Sequence, residues 1–137
     1  MAGVRRFLGV EAPAYQPDDW IARGAIALFF LMFGLDKFSS DPHSEWVEIF
    51  RKIGLGMWFR TFTGWVEIAG AALVLVPRMA MLGLTVLAAT MAGAAAAWIF
   101  RLGEPGTALV PGFLMVLVAL AAGVRWVELR EERDEEP

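Results

Sequence analysis

The sequence predicts an all-α membrane protein: a four-transmembrane-helix bundle with an amphipathic segment between the first and second helices. Three observations carry that reading. Of the 137 residues, 58% are hydrophobic and mean hydropathy is +0.55, whereas a soluble domain of this size carries more charge. The stretches 79–100 and 105–124 contain no charged residue, and about 20 apolar residues in a helix cross a ~30 Å hydrocarbon layer. Of two further apolar runs, around residues 24–35 and 61–77, the second is broken by a single carboxylate, Glu67.

The chain divides into an N-terminal cytoplasmic segment (1–19), a four-helix transmembrane domain (20–126) and a charged tail (127–137). Arg5 and Arg6 are followed by an apolar run of only residues 7–10, too short for a cleaved signal peptide. Asp18 and Asp19 stand before Trp20 as helix-start residues. The first span is then 20–38, with Arg23 and Lys37 snorkelling at its two ends. Ser39, Ser40, Asp41 and Pro42 break it. Residues 43–59 place Trp46, Phe50 and Ile53 at helical spacing, away from Glu48, Arg51 and Lys52, and read as a segment lying on the membrane surface. Gly54 and Gly56 end it. The second span is 58–76, Pro77 and Arg78 make a turn, and the third span is 79–100. A short loop, 101–106, leads to the fourth span, 107–126, which Pro111 starts or kinks. Six of the fifteen acids fall in 128–136, so the tail is expected to be solvated and partly disordered.

Four spans put both termini on one side. That side holds Arg5, Arg6, Arg23, Arg78, Arg125, Arg130 and Arg133, against Lys37, Arg51, Lys52, Arg60 and Arg101 on the other. The excess of basic residues places both termini in the cytoplasm. The six tryptophans sit near span ends as an aromatic belt. Ala89, Gly93 and Ala97, with Ala88, Ala92 and Ala96 beside them, and Ala119 with Gly123, form small-residue ladders. These suit close helix contact within the chain or in a homo-oligomer.

Glu67 is the residue with most to say about function. A carboxylate at the centre of a membrane helix costs about 2.5–3.5 kcal/mol even on lenient scales. It therefore faces a protein interior or a watery cavity, finds a partner, or stays protonated. Arg60, Gly64, Glu67, Ala71 and Val74 share one helical face. The antiparallel first span brings Asp36 and Lys37 to the level of Arg60, so Lys37 reaches Glu67 and Asp36 pairs with Arg60. Arg101 and Glu104 close the third span on the same side. The cluster Asp36, Lys37, Arg60, Gly64, Glu67 and Arg101 is either an ion-pair network that fixes helix register or a polar pocket for a small polar molecule, a quinone head or a lipid head. A proton pathway is poorly supported, because no further carboxylates or histidines cross the membrane. Cysteine is absent and His43 is the only histidine. That excludes thiol redox chemistry, Fe–S clusters, thiolate zinc and bis-histidine haem.

The run Gly34-Leu35-Asp36-Lys37-Phe38, then the Trp/Phe-rich segment, then 58–67 with Arg60, Gly64 and Glu67, resembles the DoxX-like membrane family. Gly70, the turn at Pro77-Arg78-Met79-Ala80, Gly83 and Met91-Ala92 continue the resemblance, which covers about residues 20–126. It implies a four-helix bacterial inner-membrane protein, with Lys37, Arg60, Gly64 and Glu67 at motif positions. The family takes its name from a subunit of a thiosulfate:quinone oxidoreductase, while most members have no assigned activity. Some relatives are linked to oxidative-stress complexes and distant ones to membrane-protein assembly. This chain has no side-chain set for intrinsic metal, haem or flavin. It therefore reads as a non-catalytic accessory or anchor subunit of a membrane-associated complex, with a membrane or peripheral protein partner and no nucleic acid. The alternative is a quinone-binding subunit of a membrane oxidoreductase, its pocket at the outer end of the bundle. Transport is weaker, since no inverted repeat is visible.

Overall fold

The computed structural model describes residues 17–134, with side chains from Trp20 onward. Those residues form five helices and no strand: α1 (Pro17–Asp36), α2 (Glu45–Ile53), α3 (Met57–Leu75), α4 (Ala80–Phe100) and α5 (Leu109–Asp134). Arg5, Arg6, most of the N-terminal segment and the last three residues lie outside the described part.

The boundaries have local causes. α1 is described from Pro17 onward, so Asp18 and Asp19 lie within the helix rather than ahead of it. Ser44 caps α2 by accepting from the Val47 N–H at 3.4 Å, and Gly54, at φ +80°, closes it by donating its N–H to the Phe50 carbonyl. A left-handed residue at that place is most often glycine. Pro111 falls in the first turn of α5 and is buried, so it starts this helix without breaking a hydrogen bond. α5 then continues without interruption through the first part of the charged tail. Its Glu and Arg residues are good helix formers, Arg125 pairs with Glu128 at 3.1 Å, and the Arg130 guanidinium lies 5.5 Å from the centre of the Trp126 ring. The expectation of a disordered tail is corrected accordingly for residues 128–134.

α4 and α5 are long and apolar enough to cross a membrane. α1 and α3 have 20 and 19 residues, each roughly 30 Å of helix, but charges interrupt them. The four long helices pack in the spatial order α1, α3, α4, α5, and α2 lies against α3. One core joins all four: Ala27 and Phe30 from α1, Ala71 and Val74 from α3, Leu84, Leu87 and Met91 from α4, and Val118 from α5. Around it the outer faces are apolar, with Ile21, Met32, Trp65, Phe113, Leu120 and Val124 all exposed. A continuous apolar exterior of this kind suits lipid, not water.

Two glycine pairs set the helix separations. A Cβ on Gly64 would come within 2.8 Å of the Phe38 ring and 3.2 Å of the Gly34 carbonyl oxygen. One on Gly83 would come within 2.7 Å of both the Gly70 carbonyl oxygen and the Val74 backbone nitrogen. α1 thus meets α3 at Gly34–Gly64, and α3 meets α4 at Gly70–Gly83. The small ladder of the third span works differently. Gly93 is exposed, and a Cβ there would meet nothing within 4 Å, so it is not a tight contact within this chain.

Arg23 also departs from the snorkelling expectation. It is only 6% exposed and turns inward. Its Nε and Nη2 donate to the Val74 carbonyl at 3.0 and 2.8 Å. That carbonyl is in the last turn of α3, where no intrahelical N–H remains to satisfy it.

Candidate functional site

At the end of the molecule away from residue 134, the four long helices part and line a half-open cavity of about 760 Å³. Each helix contributes the stretch near that end. Phe33 and Lys37 come from the end of α1, and Phe59, Phe62, Thr63, Val66 and Glu67 from the first half of α3. Ala89, Thr90, Met91, Gly93, Ala94, Ala97 and Trp98 come from α4, and Val110, Pro111 and Leu114 from the start of α5. The ladder Ala89, Gly93 and Ala97 therefore leaves room beside α4. Spacing announces small residues, but not whether a helix or a void lies next to them.

α2 roofs the cavity. Its apolar stripe, Trp46, Ile49, Phe50 and Ile53, faces the chamber, and Phe50 and Ile53 are buried. The segment read as floating on lipid instead covers the protein's own interior. Its two ends hold it there. Trp46 Nε1 donates to Asp36 Oδ2 at 2.6 Å, and the Phe50 ring packs edge-on to Phe59 at a centroid distance of 5.9 Å.

The polar element of the wall is one ion pair. Lys37 Nζ lies 2.5 Å from Glu67 Oε1, with side chains 5% and 1% exposed. Lys37 also stands 4.9 Å from the centre of the Phe33 ring and 4.7 Å from that of Trp46, where the electron-rich faces stabilise its charge. Gly64 gives the pair its setting, because its bare Cα lets α1 come close enough for Lys37 to reach across. Glu67 Oε2 is buried with no donor among the described residues.

The remaining members of the predicted cluster separate. Asp36 does not pair with Arg60, since the Trp46 indole occupies it. Arg60 Nη1 donates to the Ser39 carbonyl at 3.3 Å, while its Nε is buried without a partner. Arg60 thus ties α3 to the loop after α1 and is not part of the cavity wall. Arg101 is exposed at the end of α4 and makes no ion pair among the described residues. His43 is exposed in the loop before α2. Trp46 and Trp98 leave the aromatic belt and line the cavity.

The sequence reading missed Phe33, Trp46, Thr63 and Thr90 as wall residues. Two signals were present. Phe33 lies one helical turn before Lys37 on the same face, and Trp46 stands at the start of the one strongly amphipathic helix among the described residues. No group of three or more His, Cys, Asp or Glu among the described residues could hold a metal ion.

The model of the DoxX-like family aligns with residues 21–121, a span that takes in every element of the cavity. No curated protein and no solved structure matches the chain.

Proposed function

The chain belongs to the DoxX-like family, and from that premise we propose that it is a four-span inner-membrane protein that binds a small amphiphilic molecule in the cavity under α2. It has no catalytic group of its own and serves as the ligand-holding accessory subunit of a membrane complex. A quinone is the candidate occupant, because a flat apolar ring with polar substituents suits walls of Phe and Trp around one polar spot. The observation that carries the reading is the cavity itself. At about 760 Å³ it lies within the ~300–1,000 Å³ common for small-molecule sites, which are mostly apolar with a few polar groups.

Two measurements test it. Organic extraction of the protein purified in mild detergent is expected to release a prenylated quinone or another amphiphile at near-stoichiometric yield. A short-chain quinone, in at least one of its redox states, is expected to quench the fluorescence of Trp46 and Trp98 saturably. Gly93→Leu, which adds bulk on the cavity wall at a position where a Cβ meets nothing within 4 Å, should abolish that quenching. An empty extract together with purely linear quenching removes the binding reading. The anchor reading then stands, supported by the shallow apolar groove on α5 at Ala119, Gly123 and Val127. There a partner helix or a second copy would pack on small residues.

Both termini are proposed to be cytoplasmic, on the distribution of Arg and Lys. The chain has no native cysteine, so introduced ones report without background. In intact cells an impermeant maleimide should label Ser40→Cys and leave Arg133→Cys untouched. The opposite pattern inverts the topology, and labelling of both means an odd number of spans.

A further inference from the structure

The hydrogen-bonding groups at the inner end of the cavity are unequally committed. Lys37 is a donor only. It is engaged by Glu67 Oε1 and by the Phe33 and Trp46 rings. The hydroxyls of Thr63 and Thr90 donate to the carbonyls of Arg60 and Val86, at 2.9 and 2.8 Å. The Trp46 N–H is taken by Asp36. Trp98 lies seven residues along α4 from Met91, roughly 10 Å nearer the outer end. What remains at the inner end is two Lys37 N–H groups that meet only ring faces and accepting capacity, namely the hydroxyl lone pairs and, above all, Glu67 Oε2, buried and without a donor. A buried acceptor left unmet is costly, and a carboxylate oxygen gains more from a donor than a neutral acceptor does.

Charge narrows the choice further. The ionisable wall residues are Asp36, Glu45, Glu67 and Lys37, three acids and one base, and the base is already paired. A phosphate or carboxylate head would find carboxylates and no free cation. A permanent cation would have to shed its water deep in an apolar chamber. A neutral donor meets neither penalty. The ring faces of Phe33, Trp46, Phe59 and Phe62 favour a flat skeleton behind it.

Resting on the cavity reading above, we propose that the occupant presents an uncharged hydrogen-bond donor to Glu67. The cavity thus selects a hydroxyl-bearing aromatic, of the phenol or hydroquinone class, over the same skeleton with its donor capped or oxidised. For a quinone couple this means that the reduced form binds more tightly than the oxidised one.

The test compares three probes of one shape: 2-naphthol, 2-methoxynaphthalene and 2-naphthoate. Each is titrated by calorimetry against the intact protein in detergent, with Gly93→Leu as the reference that subtracts partition into micelles. A hydrogen bond to a charged acceptor predicts that 2-naphthol binds at least about tenfold more tightly than the methyl ether, and that 2-naphthoate binds more weakly than 2-naphthol. Equal affinity for naphthol and ether leaves the cavity as a binding site and overturns the donor requirement. Tightest binding by naphthoate also overturns it, since Lys37 is then free to serve anions. If no probe binds above the Gly93→Leu reference, the cavity reading falls and this inference falls with it. In the double variant Lys37→Met/Glu67→Gln, provided it folds, the preference for the naphthol should shrink to about fivefold or less, the strength of an ordinary neutral hydrogen bond. The wild-type comparison decides the matter even if that variant does not fold.

Discussion

Lys37→Met is expected to destabilise the protein more than any other single change at the cavity, by about 3–5 kcal/mol, because it strands a buried carboxylate. Glu67 then loses the donor on Oε1 while Oε2 already has none. The two ring contacts of the ammonium group disappear as well. Glu67→Gln should cost less. Its amide oxygen still accepts from Lys37, and the Phe33 and Trp46 faces continue to stabilise the cation. The telling result is the combination. Adding Glu67→Gln to Lys37→Met should raise the thermal midpoint in detergent back above that of Lys37→Met alone, since it removes the stranded charge. Losses that simply add would mean that the two groups do not depend on each other, whatever their distance.

The second large effect separates two glycines on the same helix. In an open helical site Gly→Ala stabilises by roughly 0.8–1 kcal/mol. At Gly93 nothing lies within 4 Å of the new methyl, so Gly93→Ala should show much of that gain. At Gly83 the methyl would collide with backbone at Gly70 and Val74, both at 2.7 Å, and with Leu73 Cβ at 2.9 Å. Backbone atoms cannot swing aside, so α3 and α4 must separate and the joint core around Val74 and Leu87 opens. Overpacking of this kind typically costs about 1–3 kcal/mol, and Gly83→Ala should therefore fall in stability despite its better helix propensity. Parallel thermal melts of the two variants give the comparison. A gain at both positions would show that the α3–α4 contact is looser than the distances imply.

Which features could be read from the sequence follows from the physics of each. The helices declare themselves through uncharged length and through Gly, Pro and Ser at their ends, so the element boundaries differ from the sequence reading by only a few residues, apart from the tail of α5. Glu67 stands out because a carboxylate in an apolar helix needs an explanation, and the antiparallel register of α1 and α3 points to Lys37 as a neighbour. Asp36 is the instructive failure. Helix register alone gives it to Arg60, but an amphipathic helix supplies Trp46, and nothing in a periodicity says where an apolar stripe will dock. Arg23 follows the same logic from the opposite direction. Depth along a helix suggests snorkelling, while the free carbonyl in the last turn of α3 is invisible until the helices are placed. Gly93 shows the limit of the small-residue pattern. The pattern marks where bulk is excluded, and only packing decides whether the space is filled.

The tie between Arg23 and Val74 spans 51 positions of sequence, and that between Lys37 and Glu67 spans 30. Lys37, just past the end of α1, and the long-range bond of Arg23 to Val74 therefore depend on groups that do not yet exist when α1 leaves the ribosome. At roughly 5–20 residues per second, Arg23 waits about 3–10 s for its acceptor. On the four-span reading, α1 does not settle in lipid as an independent hairpin arm, because Lys37 would enter hydrocarbon without its carboxylate. It must linger at the wet margin of the translocon, or beside an insertase, until α3 emerges, and the two helices then partition together. Biogenesis of this protein is thus a pairwise event timed by translation, with α2 and its loops threaded between the two partners before either is home.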